Sequence, residues 1–378
     1  MEIKNKHYWL EAFHCVCITI LTFCLTKIVW NGLMSLSVFS PVEKTADFQM
    51  SDIYQSVAEY KNVQQLSRDI TIVAIDGQSR AEVFETINLI SEYAPTSIGL
   101  DVFFPFPEQD NSYLFNTLNT IPNLVCAAWY ARDEGKDTWH HIKKSFYEDS
   151  VDVTYGYVNL NASTQRDVIR TFVPYMLTST NDTLFSMPVQ LVKISKPAQY
   201  QTLLKRNNAT ETIDYENIEF SVVSASEILS GEVNAGLLTG KIILVGDTGN
   251  MNDSYLSPLH NPMPGIMLHA YALQTIITDN YIDSTPIWLN WLIAFVLCIL
   301  LTVCNLWSGY RRNIFVRIVQ FFILYMLVVM GCAYFATHHI YIDFSLAILM
   351  IGLSLVAFDV WFGFVALYNF IKNKISRK

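Results

Sequence analysis

Apolar positions form two distinct patterns along the 378 residues of this chain. Long apolar stretches occupy both ends, whereas short apolar runs alternate with polar segments through the middle. A helix needs about 20 apolar residues to span a bilayer, and the stretches 9–30, 287–306, 318–335 and 344–367 meet that requirement. We therefore predict four transmembrane helices, one before and three after a central domain.

The central region has the alternating pattern of an α/β domain. Its β-branched and apolar runs at 70–75, 97–104, 124–130 and 242–245 are typical of strands buried on both faces. Amphipathic stretches at 52–65, 79–93, 184–194, 224–229 and 264–278 predict helices. Strands that alternate with helices favour parallel pairing, so we predict a parallel or mixed sheet with flanking helices.

Three further segments complete the predicted central domain. Asp110 is a candidate cap for a short helix that ends near residue 119. The polar segment 131–150 is predicted to be a loop, and the weak alternation over 151–160 predicts an antiparallel strand.

Basic residues flank the apolar stretches on one side only. They lie before the first stretch, between the second and third, and after the fourth, as Lys4, Lys6, Arg311, Arg312, Arg317, Lys372, Lys374, Arg377 and Lys378. The loop 337–343 has none. Because cytoplasmic loops carry the excess of Lys and Arg, we predict cytoplasmic termini and an extracytoplasmic region of about 31–285. The first stretch lacks a small-residue cleavage site, so we expect an uncleaved anchor.

The composition excludes several classes of site. The net charge of −9 and the lack of a basic stripe argue against nucleic acid as a partner. Six of the seven cysteines fall in the apolar stretches, and Cys126 alone lies in the central domain. An internal disulfide or a cysteine-based zinc site is therefore not expected in that domain.

A glycine-containing turn follows the predicted strand at 242–245. Its sequence, Gly246-Asp247-Thr248-Gly249, lacks the lysine of a P-loop and the third glycine of a dinucleotide fingerprint. A tight turn after the strand accounts for both glycines, and we interpret the segment as the rim of a site rather than a phosphate cradle.

Several short blocks follow one another in an order that is informative. The longest, residues 241–270, joins an apolar strand to Asp253, Met263-Pro264-Gly265 and His269-Ala270. Earlier blocks lie at 72–76, 98–104, 167–174, 185–188 and 223–231. Together they resemble the CHASE type-two family of extracytoplasmic sensory domains of bacterial receptors, over about residues 45–285. Val168 stands where that family usually has glycine, and residues 155–160 are only loosely similar.

The resemblance implies a sensory domain flanked by one membrane helix before it and three after it. It places Arg170 as the arginine of the family's Asp-Gly-x-x-Arg block and Asp110 as the aspartate after the second strand. Family members usually continue into a cytoplasmic kinase or cyclase, whereas this chain ends about ten residues after its fourth apolar stretch. We therefore expect a sensor or binding protein that signals through a separate protein, and not an enzyme.

The predicted organisation has four parts. Residues 1–30 form the cytoplasmic N-terminus and first membrane helix, and 31–285 form the extracytoplasmic sensory domain. Residues 286–368 form a bundle of three membrane helices, and 369–378 form a short basic cytoplasmic tail. The resemblance to bacterial receptors implies a multi-pass protein of the bacterial inner membrane, with the sensory domain in the periplasm or outside the cell.

Candidate ligand-binding residues gather at one predicted edge of the sheet. Asp76, Asp101 and Asp247 follow or end three predicted strands, and ligands bind beyond the carboxyl ends of such strands. Asp253 and His269 are close enough in sequence to join them. Asp101 lies within an apolar strand and needs a partner, for which Arg170 is the candidate. The alternative is that these aspartates cap turns and helices, and that His269 is a hydrogen-bonded packing residue.

Two further points concern ions. Carboxylates of this kind suit calcium or magnesium, so a divalent cation stays open although no other cofactor is expected. Asp359 lies inside the fourth apolar stretch, where acids are costly, and either a functional role or pairing with Arg317 accounts for it.

Three functions remain open at this point. The first is the sensor, with the lipid bilayer and a separate signalling or envelope protein as partners, and with a homodimer left open. The second is a metal-dependent extracytoplasmic hydrolase that uses Asp76, Asp101, Asp247 and His269, although no nucleophile elbow or HExxH motif is present. The third is a structural subunit of an envelope complex, which predicts a closed carboxylate edge.

Overall fold

The chain forms two units, which we name the helix unit (Met1–Tyr54 and Asp283–Lys378) and the sheet unit (Gln55–Ile282). The computed structural model describes residues 2–35, 50–61, 65–107, 112–132, 139–160, 168–178, 182–215, 218–250, 253–259, 262–308 and 313–376. Several residues used in the predictions lie outside these ranges: Asp110, Asp167, Arg311, Arg312, Arg377 and Lys378.

A mixed sheet runs through the sheet unit. It is built from β1 (Gln65–Ala74), β2 (Ser97–Asp101), β3 (Leu124–Arg132), β4 (Trp139–Ile142), β5 (Thr154–Tyr157), β10 (Ile218–Ser224) and β11 (Ile242–Gly246). The strand order is β10-β1-β11-β2-β3-β4, and β5 also pairs with β3. All these pairs are parallel except β3 with β4. The predicted fold class, a parallel or mixed sheet with flanking helices, is confirmed.

Helices cover both faces of this sheet. One face carries α3 (Arg80–Glu92), α4 (Ser112–Thr120) and α7 (Ala225–Leu229), and the other carries α5 (Met187–Ser195), α6 (Pro197–Arg206) and α8 (Gly265–Thr278). Residues of β11 alternate between the two cores, because Ile242 and Leu244 face α5 and α8 while Ile243 and Val245 face α3 and α7. Burial on both faces explains why this strand reads as an uninterrupted apolar run.

Smaller elements complete the sheet unit. α2 (Met50–Lys61) leads into it, and a single turn of 3₁₀ helix covers Ala235–Leu237. Among the described residues, three pairs of short strands in the sheet unit lie outside the main sheet. These are β6 (Thr171–Phe172) with β9 (Glu211–Thr212), β7 (Tyr175–Leu177) with β8 (Thr183–Phe185), and β12 (Ser254–Leu256) with β13 (Pro262–Pro264).

Side-chain caps fix two of the helix starts. Ser79 accepts from the backbone of Glu82, whose side chain in turn accepts from the backbone of Ser79, and this capping box begins α3. Ser224 and Glu227 form the same arrangement at α7. Each box follows the carboxyl end of a strand, so the caps hold the strand-to-helix turns at the edge where the aspartates lie.

Two predictions for the middle of the chain are wrong. The segment 131–150, predicted to be a loop, contains β4, which pairs with the second half of β3. The segment 151–160, predicted to be antiparallel, contains β5, which pairs in parallel with the first half of β3. Both strands are only four residues long, so their polar and aromatic residues gave no clear period.

The helix unit contains four long apolar helices. They are α1 (Glu2–Ser35), α9 (Ile287–Ser308), α10 (Asn313–His338) and α11 (Ser345–Ile375), and each is long and apolar enough to cross a membrane. The predicted arrangement of one such helix before the sheet unit and three after it is confirmed. Asp359 of α11 forms an ion pair with Arg317 of α10, at 3.2 Å between carboxylate and guanidinium, which is the pairing that the sequence left open.

The loop between α10 and α11 holds two other segments of the helix unit. Its strand β15 (Ile340–Tyr341) pairs in parallel with β14 (Asp283–Ser284). The Tyr54 hydroxyl donates to the carbonyl of Ile342 at 3.1 Å, and the Tyr54 ring packs on Tyr341 and Phe335. We name these contacts the loop clamp.

Candidate functional site

Three aspartates lie on neighbouring strands at one edge of the sheet. In the register of β1, β11 and β2, Ala74 pairs with Gly246 and Gly246 pairs with Asp101. Asp247 follows this row directly and Asp76 follows it by two residues, so the structure brings the three predicted carboxylates to the same edge. This is the edge at which open α/β sheets bind ligands.

A cavity of about 600 Å³ opens at this edge, and we name it the Asp101 cavity. Four of the predicted site residues line it: Asp101, Asp247, Asp253 and His269. The other residues that matter below are two cations, Arg80 and Lys144, and a group of apolar and aromatic side chains, Val102, Phe103, Phe104, Trp129, Leu160 and Tyr255. The volume is typical of sites for small molecules.

Asp101 is the most buried of the three edge aspartates. It has the same strand parity as Gly99, and Gly99 meets Leu191 of α5, so Asp101 faces the side of the sheet that α5 and α8 cover. Its side chain is 13% exposed and lies 4.0 Å from the His269 ring. Within the described residues its carboxylate makes no hydrogen bond, and burial raises the pKa of Asp101 to about 7.

His269 lies one turn into α8, as predicted, and is buried. Burial lowers its pKa to about 4, against the opposing effects of Asp253 and of a hydrogen bond with the backbone of Val158. The ring is therefore neutral at pH 7. It lines the cavity as a neutral polar group beside a buried acid.

Asp253 reaches the site because α8 begins with a glycine. A Cβ on Gly265 would lie 2.8 Å from the Asp253 carboxylate, so any other residue there would displace this side chain. The pairing of β12 with β13 sets Ser254 opposite Pro264 and so brings Asp253 beside the helix start. Burial, and then the charge of Asp101, raise the pKa of Asp253 to about 6.

Asp76 and Asp247 organise the glycine-containing turn. Asp76 accepts hydrogen bonds from the Thr248 amide and hydroxyl and from the Gly249 amide, at 2.5–2.8 Å. Burial alone would raise the pKa of Asp76, but hydrogen bonds with Asp247, Thr248 and Gly249 lower it to about 2. The hydrogen bond with Asp76, and then burial, raise the pKa of Asp247. Asp76 thus acts as a turn cap, the alternative that the sequence left open.

The two glycines of this turn have a different cause from the one predicted. Neither Gly246 nor Gly249 has a positive φ. A Cβ on Gly246 would lie 2.7 Å from the Ile266 side chain of α8. Close approach of helix to strand, and not a left-handed turn, requires glycine at the end of β11.

The cations of the cavity lie near its aromatic side chains. The Arg80 guanidinium is 5.1 Å from the Phe104 ring centroid and donates to the Phe106 carbonyl at 2.7 Å. The Lys144 ammonium is 5.7 Å from the Trp129 ring centroid. Sequence reasoning missed both cations, since Arg80 reads as a first-turn helix residue and Lys144 lay in a predicted loop.

Arg170, the predicted partner of Asp101, has a different position. It precedes β6, and its charge acts on the buried Tyr215 hydroxyl. Its backbone carbonyl accepts from Ile213. Arg170 does not line the cavity as far as the described residues show.

The donor atoms do not form a metal site in the described part of the chain. No group of three or more His, Cys, Asp or Glu side chains is placed there to hold a metal ion. All seven cysteines are free. Cys126 of β3 is buried in the core on the face of the sheet that carries α3, α4 and α7.

Comparison with known proteins gives one match. Residues 24–304 match the family model described as the CHASE2 domain. No curated protein and no solved structure shows a significant match. The matched range covers about three quarters of the 378 residues and includes the whole Asp101 cavity.

Proposed function

The chain belongs to the CHASE2 domain family, and on that premise we propose that it is a membrane-anchored sensor that binds a small ligand in the Asp101 cavity. CHASE2 domains are extracytoplasmic sensory domains, not catalytic ones, and the four apolar helices suggest membrane anchoring. To this family role we add two proposed features, the place of ligand binding and the route of the signal.

One observation carries the ligand site. The Asp101 carboxylate is 13% exposed, has no hydrogen-bond partner within the described residues, and lines an open cavity. A carboxylate that lines a cavity without a protein hydrogen-bond partner is available to a ligand that carries hydrogen-bond donors.

We propose that the signal passes from the outer domain through the apolar helices to the cytoplasm. We propose that residues 31–285 face the outside of a bacterial inner membrane, that both termini are cytoplasmic, and that a separate protein receives the signal. The distribution of Lys and Arg supports this orientation. A ligand transmits a signal only if it binds two states of the sensor unequally.

The alternatives have less support. The hydrolase needs a metal ion, and the described residues offer no three-ligand group. The structural subunit predicts a closed carboxylate edge, whereas this edge opens into a cavity of about 600 Å³. We therefore favour the sensor.

The fluorescence of Trp129, which lines the cavity, tests the proposal. The probe is the low-molecular-mass fraction of medium in which the source cells have grown, added to the full-length chain in detergent. The difference in emission between wild type and Trp129→Phe isolates this side chain. We expect a saturable change that Asp101→Asn abolishes, because the ligand loses its charged partner.

Asp152→Asn is the matched control, since Asp152 is exposed and outside the cavity lining. This variant should respond as the wild type does. An unchanged Trp129 signal in the wild type, or an equal response in Asp101→Asn, would refute ligand binding in this cavity.

A further inference from the structure

We propose that the Asp101 cavity recognises a small zwitterion, with an ammonium group at the Asp101 end, a carboxylate at the Arg80 end and an apolar stretch between them. This inference rests on the proposed function and names the ligand class of the same site. It goes beyond the family match, which specifies a sensory domain without a ligand.

Acidic and basic side chains line different parts of the cavity. Asp101 and Asp253 lie at the sheet edge beside α8, where Asp101 is 4.0 Å from His269. Arg80 and Lys144 lie further along, because Phe104 binds the segment that carries Lys144. The Phe104 amide donates to Ser145 at 3.1 Å, and its carbonyl accepts from Phe146 at 2.9 Å.

The spacing between the two ends suits an extended small molecule. Phe104 is three residues beyond Asp101, and extended chain advances at most about 3.3–3.6 Å per residue. The backbone positions of the two ends are therefore up to about 10 Å apart. The long side chains of Arg80 and Lys144 shorten the distance that a ligand must span.

Apolar side chains form part of the cavity surface. Val102, Phe103, Trp129 and Leu160 line the cavity, and Phe103, Trp129 and Leu160 pack on the core beneath α5 and α8. A methylene chain or an apolar side chain would bury area against them at about 25 cal/mol per Å². A fully hydrated metal ion or a compact inorganic anion would not use this surface.

The acidic end of the cavity suits an ammonium group. An ammonium group offers three donors, and the Asp101 and Asp253 carboxylates, once ionised, offer only acceptors. His269 is neutral and adds no repulsion for a cation. The geometry thus favours an organic ammonium over a metal, for which the described residues lack a three-ligand group.

The basic end of the cavity suits a carboxylate. Within the described residues, Lys144 forms no ion pair, and it is exposed beside Trp129. The neighbouring Lys143 forms an ion pair with Asp149 instead. Arg80 is held over the rings of Phe104 and Phe146 and adds positive charge beside the cavity. The Lys144 ammonium is therefore the group that we expect to contact the carboxylate.

Binding of an ammonium group should also release protons. The ionisable groups that line the cavity with Asp101 come from several elements: Asp247 after β11, Asp253 before β12, Tyr255 on β12, His269 on α8, Arg80 on α3 and Lys144 after β4. Burial raises the pKa of Asp101 to about 7 and, with the charge of Asp101, that of Asp253 to about 6. A cation favours the ionised carboxylates, so affinity should increase as the pH rises through this range.

Calorimetric titration of the full-length chain in detergent tests the proposal. The zwitterionic probes are glycine, β-alanine, γ-aminobutyrate and ε-aminocaproate, which place the two charges at increasing distances. The one-ended probes are caproate and hexylamine. We expect at least one zwitterion to bind about tenfold more tightly than either one-ended probe, with an optimum length in the series.

Two lysine variants give a matched comparison at the basic end. Lys144→Gln should weaken the best zwitterion about tenfold and leave hexylamine unaffected. Lys143→Gln should change neither, since Lys143 is paired with Asp149. At the acidic end, Asp253→Asn should weaken hexylamine and leave caproate unaffected, and its melting temperature shows whether the variant is folded.

The outcomes separate this inference from the proposed function. If no zwitterion binds although the medium fraction alters Trp129 fluorescence, the ligand class is wrong and the cavity remains a ligand site. If a one-ended probe binds as tightly as the best zwitterion, or if both lysine variants have the same effect, the two-ended site is refuted. If neither the zwitterions nor the medium fraction acts, both proposals fail.

Discussion

At the scale of single residues, Asp101 and Asp76 show how position decides the role of an aspartate. Asp101 ends a buried strand and faces a cavity, whereas Asp76 is two residues beyond its strand and accepts from the Thr248 and Gly249 amides. The sequence indicated that Asp101 needed a partner, because an acid in an apolar run is unfavourable. It could not show which turn Asp76 caps, because the partners of Asp76, Thr248 and Gly249, lie about 170 residues further along the chain.

The Asp101 carboxyl makes stability depend on pH. Its pKa in the fold, about 7, is above the unfolded value of 3.8, so the folded state holds the proton longer and stability falls as the pH rises from about 4 to 7. Asp101→Asn removes this loss. We expect the free energy of unfolding of the variant, relative to that of the wild type, to increase by about 2–4 kcal/mol as the pH rises from 5 to 8.

Thermal melting of both proteins in detergent at a series of pH values measures this difference. His269 acts in the opposite direction, since its pKa is lowered to about 4 and protonation of the unfolded state destabilises the fold below pH 6.5. It is present in both proteins, so its effect largely cancels. A difference between the two melting temperatures that is constant with pH would contradict the buried, titrating Asp101.

At the scale of elements, the long buried strands were predictable and the short ones were not. β1, β2, β3 and β11 were found because burial on both faces demands continuous apolar runs. β4, β5 and the edge strand β10 were missed or misassigned, since short or half-exposed strands carry mixed residues. The order of strands also decided which aspartates meet, and that order places β11 between β1 and β2.

The contact between β11 and α8 yields a prediction about packing. Gly246→Ala places a Cβ 2.7 Å from the Ile266 Cδ1 atom, so we expect a loss of about 1–3 kcal/mol of stability from overpacking. Ile266→Val removes that Cδ1 atom. The double variant should therefore be more stable than the sum of the two single changes, and chemical or thermal unfolding of the four proteins measures the coupling.

Strictly additive effects in this cycle would show that Gly246 is required for another reason. Gly231→Ala is a useful comparison, because that glycine has a positive φ of 72° and open space around it. Its cost should come from backbone strain and should be insensitive to Ile266→Val.

At the scale of the whole molecule, the apolar pattern alone predicted the four helices that are long and apolar enough to cross a membrane. Their ends were not predictable, since α1 and α11 extend well beyond the apolar stretches. The proposed signalling partner cannot be identified from the sequence of this chain, because partner recognition also depends on the surface of the partner.

Cross-linking in native membranes tests the proposed orientation and partner together. Single-cysteine variants Lys374→Cys and Glu85→Cys, in a background without the seven native cysteines, carry the cross-linker at opposite ends of the proposed signal route. We expect a protein with a kinase, cyclase or regulatory domain to be captured from position 374 in stoichiometric amount. Position 85, on an exposed face of α3, is the matched control.

Capture of the same protein from position 85 alone would place the output partner on the outer side and contradict the orientation. Recovery of the chain alone from both variants would contradict a stable partner. Labelling of Glu85→Cys in intact cells by a membrane-impermeant maleimide confirms that the variant is inserted as proposed.

The loop clamp has a consequence for how many independent messages the helices can carry. Tyr54 is the last residue of the helix unit before the sheet unit and Asp283 is the first after it, and both are fastened to the same few residues, Ile340–Ile342. If these connections carry the proposed signal, a shift of either one alters contacts of the same three residues. The two connections would then act on the loop between α10 and α11 as one mechanical input rather than as two independent ones.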